Sequence, residues 1–177
     1  MGVDVYILST NRLPARGIGF AVCKAIAQLG GGVAIIDVLS KPVEEFHTLA
    51  ERYGVKASYH QADITNQQSL ESAFGDAVKA VGQLHGGLTA AGICFDEPLI
   101  EADWNNSRKL LDINVMGTFW TAKLIAKHLV DTKTPGSIVM IASISGQGLH
   151  TPVSQRFTCY SRGVSPSLAS LLQRETC

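Results

Sequence analysis

The 177-residue sequence predicts an α/β fold in which a doubly wound parallel sheet carries helices on both faces. Short apolar segments rich in β-branched residues alternate along the chain with longer segments of helical periodicity. The composition is 46% hydrophobic and only 17% charged, which suits one buried core. No repeat, low-complexity tract or linker interrupts the alternation. We therefore expect a single domain over residues 1–177, with residues 154–177 as a divergent tail.

Each predicted element has a local reason in the sequence. Strands are predicted at short strand-like segments, residues 5–8, 33–37 and 137–142, while residues 55–60 start a third unit and residues 84–91 form a weaker fourth strand. Helices are predicted where apolar residues recur every three or four positions, at residues 17–29 and 42–53, along Leu70, Phe74, Ala77, Val78 and Val81, and as one or two long helices within residues 98–130. Gly30 and Gly54 end the first two helices, and Thr134-Pro135-Gly136 forms a turn before the last strand.

The segment Ala15-Arg16-Gly17-Ile18-Gly19 lies between the first predicted strand and the first predicted helix. Glycines allow a backbone to approach a pyrophosphate, and a helix that starts there directs its free N–H groups at the phosphates. Asp37 ends the second predicted strand, where a carboxylate accepts hydrogen bonds from adenosine ribose hydroxyls. A plain tight turn is the alternative for the glycines. The order of turn, helix, strand and acid favours nucleotide binding.

The charge balance and the cysteines exclude several classes of function. The 15 basic and 15 acidic residues cancel, so no net field attracts nucleic acid or an anionic membrane. Cys23, Cys94, Cys159 and Cys177 lack the spacing of zinc ligands, so we expect reduced thiols, no metal site and a cytoplasmic location. No apolar segment reaches the roughly 18 residues of a membrane span. We expect a small-molecule ligand and neither a nucleic-acid nor a membrane partner.

Several motifs, taken in order and spacing, resemble the short-chain dehydrogenase/reductase family from about residue 13 to residue 153. The matching segments are Ala15-Arg16-Gly17-Ile18-Gly19, Asp37, Asp63-Ile64, Ala91-Gly92-Ile93, Leu111-Asp112-Ile113-Asn114-Val115, and Gly136-Ser137-Ile138-Val139 leading to Ser143-Ile144-Ser145-Gly146. The resemblance implies a Rossmann-like, NAD(P)-binding domain, with NAD as the expected cofactor and NADP as the alternative. It also implies hydride exchange with a small alcohol or ketone, such as a polyol or ketose.

The same resemblance assigns site residues. It implies that Tyr160 is the general acid/base, that Ser143 holds the substrate oxygen, and that Asn114 anchors a water in the proton path. The implied cofactor-binding residues are Arg16, Gly17, Ile18, Gly19, Asp37, Asp63, Ile64, Ala91 and Gly92. Plainer roles stay open for three of these residues. Asn114 could bond its own helix backbone, Ser143 could stabilise a turn, and Asp63, or Thr65 beside it, could cap the following helix.

The sequence departs from the family pattern at the phosphate loop and at the catalytic helix. Leu13 stands where the family has the first glycine of the loop. Val164 stands where the family has the lysine of Tyr-x-x-x-Lys, and Arg162 lies about 200° around a helix from Tyr160. Ser165-Pro166 reads as the start of a helix after Tyr160, so an ordinary aromatic residue is the alternative for that tyrosine.

These departures affect the expected activity and assembly. We expect a chain that is truncated at its C-terminal end relative to the family, with little or no turnover. A nucleotide-binding protein without catalysis and a truncated fragment are the alternatives to an active oxidoreductase. The predicted helix over residues 110–130 carries Phe119, Trp120 and Leu124, a candidate surface for a homo-oligomer, with ordinary core packing as the alternative.

Overall fold

The computed structural model of this chain describes residues 5–10, 17–95 and 99–142. Within them, five strands form one sheet in the order β3-β2-β1-β4-β5. The strands are β1 Val5–Thr10, β2 Gly32–Asp37, β3 Ala57–Gln61, β4 Gly86–Thr89 and β5 Ser137–Met140. Every described pair of strands is parallel. The predicted doubly wound parallel sheet is therefore confirmed.

Helices connect the strands and cover both faces of the sheet. They are α1 Ile18–Gln28, α2 Glu44–Tyr53, α3 Gln67–Val81, α4 Trp104–Leu111 and α5 Thr118–Asp131. A 3₁₀ turn at Leu99–Glu101 precedes α4, and a π-helical segment at Asp112–Gly117 joins α4 to α5. The predicted helical stretch within residues 98–130 is thus two α-helices with a widened turn between them.

The core has one apolar layer on each face of the sheet. Successive side chains of β2 point to opposite faces, so Ile36 packs with α3 and α5 while Val33 packs with α1 and α2. Large, fully buried residues anchor each layer, among them Leu70 and Ile125 on the first face and Cys23 on the second. The strand between the layers is therefore buried on both sides, which explains its unbroken apolar sequence.

Several predicted element ends shift by one or two residues, and the shifts at β4 and at the start of α3 have a clear cause. The strand predicted at residues 84–91 covers only Gly86–Thr89, because Leu84 and Ala91 are buried in the core without joining the ladder. The cap of α3 is neither Asp63 nor Thr65 but Asn66, whose Oδ1 accepts the N–H of Ser69 at 2.9 Å. Asp63 instead closes a turn one step earlier, because its carboxylate accepts hydrogen bonds from Thr65.

Candidate functional site

The carboxyl ends of β1, β2 and β4 meet at the point where the strand order reverses. The chain moves outward from β1 to β2 and β3, then returns to the other side of β1 with β4. In open parallel sheets such a reversal leaves a crevice above the strand ends, where ligands bind. Most of the described residues that the sequence predicted for the cofactor site lie at this edge of the sheet.

Gly17 lies at the N-terminus of α1, as the predicted phosphate-binding turn requires. Its φ of +120° lies in the region that side chains other than glycine's rarely adopt. Gly19 is buried in the first turn of α1, and Ile18 between them is 61% exposed. The helix therefore presents its positive end at the crevice through a turn that needs glycine at position 17. Arg16 lies outside the described residues.

Asp37 is the last residue of β2 and is only 1% exposed. Its Oδ1 accepts the N–H of Leu39 at 2.9 Å, which folds the following segment back over the strand end. Tyr59 on the neighbouring strand donates its hydroxyl to the carbonyl of Leu39 at 2.9 Å. Burial, followed by the charge of Asp37, raises the pKa of Tyr59 to about 12. The phenol near this carboxylate is therefore a stable donor at neutral pH.

Asp63 follows β3 and lies at the rim of the same crevice. Its Oδ1 accepts both the N–H and the hydroxyl of Thr65, at 2.9 and 2.7 Å. Its Oδ2 accepts no hydrogen bond from any described residue, so one carboxylate oxygen remains for a ligand. Ile64 is different, because its side chain is buried in the core, 4% exposed, next to Gly117. We conclude that Ile64 shapes the site by packing rather than by its side-chain chemistry.

A cavity of about 420 Å³ opens between the strand ends and α4. Residues after β2, β3 and β4 form one wall, and α4 with the π-helical segment forms the other. The lining residues are Val38, Asp63, Thr65, Ile93, Asn105, Arg108, Lys109, Asp112 and Ile113. This volume falls within the usual range for small-molecule sites. Apolar side chains flank an exposed carboxylate, a combination that suits a flat heterocycle with a hydrogen-bonding amino group.

Sequence reasoning did not find the α4 wall of this cavity. The cationic groups of Arg108 and Lys109 form no ion pair or hydrogen bond with any residue in the described ranges. Charged residues on a helix usually form its solvent-exposed face, so the sequence pattern offered no reason to assign these two cations to a site. The spacing of Lys109 and Ile113, four residues apart and therefore on one face, was the available signal.

Asn114 lies in the π-helical segment and is 2% exposed. Its Oδ1 accepts the N–H of Ile93 at 2.8 Å, and its Nδ2 donates to the carbonyl of Ile93 at 2.9 Å. The side-chain amide thus bonds both the backbone N–H and the backbone carbonyl of one residue 21 positions earlier in the chain. That pairing fixes the segment after β4, which includes Ala91 and Gly92. Single-turn π-helical insertions are frequent at functional sites.

The segment after β4 carries few polar side chains. Ala91 is 2% exposed, and Gly92 is partly exposed beside it. Thr89, at the end of the strand, buries a hydroxyl that has no hydrogen-bond partner in the described part of the chain. The path of the backbone along the crevice is held by Asn114 from the helix side.

The predicted catalytic residues Ser143 and Tyr160 lie outside the described residues, as does position 164. Across the residues that are described, no group of three His, Cys, Asp or Glu side chains could hold a metal ion. In that same part of the chain no helix is long and apolar enough to cross a membrane. Burial raises the pKa of the Cys23 thiol to about 12, so this cysteine is a core residue and not a nucleophile.

Comparison with known proteins gives the chain a family. A relative from Aspergillus versicolor, the short chain dehydrogenase/reductase notP′, is 33% identical over 141 residues, which is 77% of this chain and 48% of that protein. An NADP-dependent mannitol dehydrogenase of Aureobasidium melanogenum is 28% identical over 142 residues, which is 79% of this chain and 53% of that protein.

A solved structure, the NADPH-dependent 3-quinuclidinone reductase of Rhodotorula rubra, is 27% identical with a TM-score of 0.85 and covers 97% of this chain and 64% of that one. The chain spans about half the length of the curated relatives it matches. The family model described as short chain dehydrogenase matches residues 14–161. Because that match extends over most of the sequence, and because the fold agrees with it, this chain belongs to the short-chain dehydrogenase/reductase family.

Proposed function

We propose that this chain binds a nicotinamide dinucleotide along the carboxyl edge of the sheet, with the adenine in the cavity between the strand ends and α4. The observation that carries the proposal is the cavity of about 420 Å³, which is lined by the partly unpaired carboxylate of Asp63 and by Val38, the residue that follows Asp37 in the chain. The volume suits an adenine with part of its ribose. Apolar groups from Val38, Ile93 and Ile113 provide faces for a flat ring.

Under this proposal, the residues of the cofactor site have the following roles. Asp63 accepts a hydrogen bond from the adenine amino group, and Asp37 accepts hydrogen bonds from the ribose hydroxyls. Gly17 and the N-terminus of α1 receive the pyrophosphate, and Ala91 and Gly92 let the backbone pass close to the ribose. Asn114 holds that backbone in place through Ile93. Arg16 remains a proposed phosphate contact.

We further propose NAD(H) as the preferred cofactor. A carboxylate at the end of β2 accepts from two ribose hydroxyls and repels a 2′-phosphate. One relative carries the name of an NADP-dependent mannitol dehydrogenase, which favours the competing cofactor. The proposed preference for NAD(H) rests on the Asp37 carboxylate, and NADP(H) is the alternative cofactor.

The proposed reaction is that of the family, oxidation of a small secondary alcohol or reduction of a ketone, with a polyol or ketose as the substrate class. The names of two relatives, a mannitol dehydrogenase and a sorbose reductase from Candida albicans, support that class. When bound, the nicotinamide ring supplies or accepts the hydride. Ser143 would hold the substrate oxygen and Tyr160 would move its proton. Nucleotide binding without turnover is the second candidate, favoured by Val164 in place of the family's lysine.

Self-association through residues 110–130 is also proposed. Trp120 and Leu124 are half-buried against the core, which supports ordinary packing, and Phe119 stacks edge-on against Trp120 with centroids 5.3 Å apart. Exposed apolar residues continue the same helical stretch on its outer side, with Met116 44% exposed and Leu111 40% exposed. Light scattering at micromolar concentration tests this surface, and a monomer would count against it.

The direct test of cofactor binding is fluorescence titration with NADH and NADPH. We expect the wild-type chain to bind NADH more tightly, and we expect Asp37→Asn to weaken NADH binding by roughly tenfold or more, since hydrogen bonds to charged groups contribute about 1.5–3 kcal/mol. Asp76→Asn is the matched control, because Asp76 pairs with Lys79 on the exposed side of α3. Tighter binding of NADPH by the wild type would overturn the NAD assignment. Binding of neither would overturn the proposed function.

A further inference from the structure

The segment that follows Asp37 is fastened to the edge strand β3. Tyr59 donates its hydroxyl to the carbonyl of Leu39 at 2.9 Å, and Gln61 donates its side-chain amide to the carbonyl of Val38 at 3.2 Å. The sheet register brings Gln61 directly beside Asp37. Two consecutive peptide carbonyls after the ribose-binding acid are thus held by side chains of one neighbouring strand.

The position of the Tyr59 hydroxyl is itself fixed by packing. Phe46 of α2 meets the ring of Tyr59 edge-on, with centroids 5.9 Å apart and the ring planes at 62°. Phe46 is buried in the core layer on that face of the sheet. Packing on Phe46 therefore fixes the ring of Tyr59 between the core and the segment after Asp37, with its hydroxyl against the carbonyl of Leu39.

The fastened segment restricts Asp37. The N–H of Leu39 donates to Oδ1 of Asp37 at 2.9 Å, so that N–H is occupied and the carboxylate is tied to the segment. If Asp37 turns away from the crevice, this hydrogen bond breaks unless Leu39 moves with the carboxylate, and the contact with Tyr59 opposes that movement. Val38 in the same segment lines the cavity.

We propose that Tyr59 and Gln61 are positioning residues that set the choice between NAD(H) and NADP(H), by holding Val38 and Leu39 so that the Asp37 carboxylate stays at the ribose. The proposal rests on the proposed cofactor binding. A 2′-phosphate needs N–H donors and room for its charge. With the segment fastened, the N–H of Leu39 is occupied and the Asp37 charge cannot retreat, so the phosphorylated cofactor is disfavoured on both counts.

The test removes the contacts and leaves the carboxylate in place. In Tyr59→Phe the ring still packs on Phe46, but the hydrogen bond to Leu39 is lost. We expect the Kd for NADH to rise about fivefold, the size of one ordinary net hydrogen bond. The Kd for NADPH should stay the same or fall, because a freed segment can turn its N–H groups outward. The preference for NADH over NADPH therefore drops by at least about fivefold.

Tyr53→Phe is the matched control. Tyr53 lies on α2, and its hydroxyl accepts a hydrogen bond from Gln28 at 3.2 Å, away from the cavity. This variant should keep both Kd values within about twofold of wild type. Gln61→Ala provides a second test at an exposed position where folding is not at stake, with a smaller change in the same direction.

The outcomes separate this proposal from the one on which it rests. If the wild type binds NADH but Tyr59→Phe and Gln61→Ala keep its preference, the positioning role is wrong. If the variants weaken NADH and NADPH equally, Tyr59 and Gln61 act only on stability, and the proposal is also wrong. A wild type that prefers NADPH, or that binds neither cofactor, overturns the proposed function itself and this role with it.

Discussion

Strands β2 and β5 belong to one parallel sheet but differ in how they are covered. Each of the six residues of β2 is buried, because β1 and β3 flank it and helices pack on both faces. Among the described strands β5 pairs only with β4, and its residues alternate between exposed and half-buried. Val139 on β5 is 54% exposed although its sequence is that of a buried strand.

The difference divides the molecule by function. On the β2 side, the described residues supply a cavity, two carboxylates and a glycine turn, which are the parts proposed to hold an adenosine and its pyrophosphate. On the β5 side, the expected chemistry depends on Ser143 and Tyr160, outside the described residues, and the relatives extend well beyond the matched part. The proposed nucleotide binding and the proposed catalysis therefore depend on different parts of the chain and can be tested separately.

The largest effect is expected on the catalytic side. With Val164 in place of lysine, an unshifted tyrosine has a pKa of about 10 and is about 0.1% ionised at pH 7. Three pKa units correspond to about 4 kcal/mol, or roughly a thousandfold in rate if deprotonation limits it. We expect turnover of ketones and ketoses with NADH to lie at or below the detection limit in a steady-state assay.

Turnover of about 1 per second or more would contradict that expectation and would remove the contrast between the two sides. Val164→Lys alone should not restore activity, because Pro166 follows two residues later and opposes a helix that would place residues 160 and 164 on one face. NADH binding is measured on the same preparation, because binding distinguishes a folded but inactive chain from an unfolded one.

Much of the fold could be predicted because hydropathy reports burial. Strand β2 is covered on both faces, so its unbroken apolar sequence identified it within one residue. The ends of β4 were predicted too far out, since Leu84 and Ala91 are buried without pairing in the sheet. Apolar patterning measures removal from water and not hydrogen bonding, so it cannot locate the end of a ladder.

Site residues that belong to a local sequence motif could be predicted, whereas contacts between residues far apart in the sequence could not. Asp37 and Gly17 were found from spacing along the chain, and both lie at the expected strand end and helix start. The pairing of Asn114 with Ile93 joins residues 21 positions apart, which no local pattern encodes. No local pattern in Asp112–Gly117 distinguishes a π-helical turn from an α-helical one, so the widened turn could not be predicted from the sequence.

The next largest effect is expected at Asn114, which ties the π-helical segment to the backbone after β4. Asn114→Ala removes both hydrogen bonds to Ile93 and leaves a buried N–H and carbonyl without those partners. We expect the free energy of unfolding to fall by about 3 kcal/mol, and NADH binding to weaken because Ile93 lines the cavity. Urea denaturation measures the first effect and fluorescence titration the second.

Asn106→Ala is the control for this substitution. Asn106 lies on α4, and its backbone N–H, which the substitution keeps, donates the capping hydrogen bond to Oδ1 of Asp103. Its effect should stay within about 0.5 kcal/mol. A loss below about 1 kcal/mol for Asn114→Ala would mean that the backbone after β4 is held by other contacts. The nucleotide side would then not depend on the π-helical segment.

A smaller effect is expected at Gly117, the last residue of the π-helical segment. A Cβ there would overlap Cδ1 of Ile64, a core residue beneath the cavity. Gly117→Ala should lower the free energy of unfolding by about 1–3 kcal/mol through overpacking. Gly75→Ala is the matched comparison, because nothing lies within 4 Å of its added Cβ on α3. That variant should raise stability by about 0.5–1 kcal/mol, since alanine is the better helix former.

The smallest effect is a pH dependence on the β2 side. Burial, and after it the charge of Asp37, raises the pKa of Tyr59 to about 12, whereas an unfolded chain titrates tyrosine near pH 10. Between these values the unfolded chain releases the proton first, so the native state binds more protons and stability falls as pH rises. The full slope for one group is about 1.4 kcal/mol per pH unit, and partial exposure of Tyr59 reduces it to less than about 1.

Tyr59→Phe should therefore flatten the loss of stability between pH 10 and pH 11, while Tyr53→Phe should leave the slope unchanged. Ultraviolet absorbance of phenolate reports the titration directly, and urea denaturation at each pH reports stability. Cys23, whose pKa burial also raises to about 12, contributes the same slope in both variants and cancels in the comparison. Equal slopes for the two variants would show that Tyr59 ionises as freely in the folded chain as in the unfolded one. That result would contradict a fixed Tyr59 hydroxyl as the donor to the carbonyl of Leu39, and with it the fastening of the segment after Asp37.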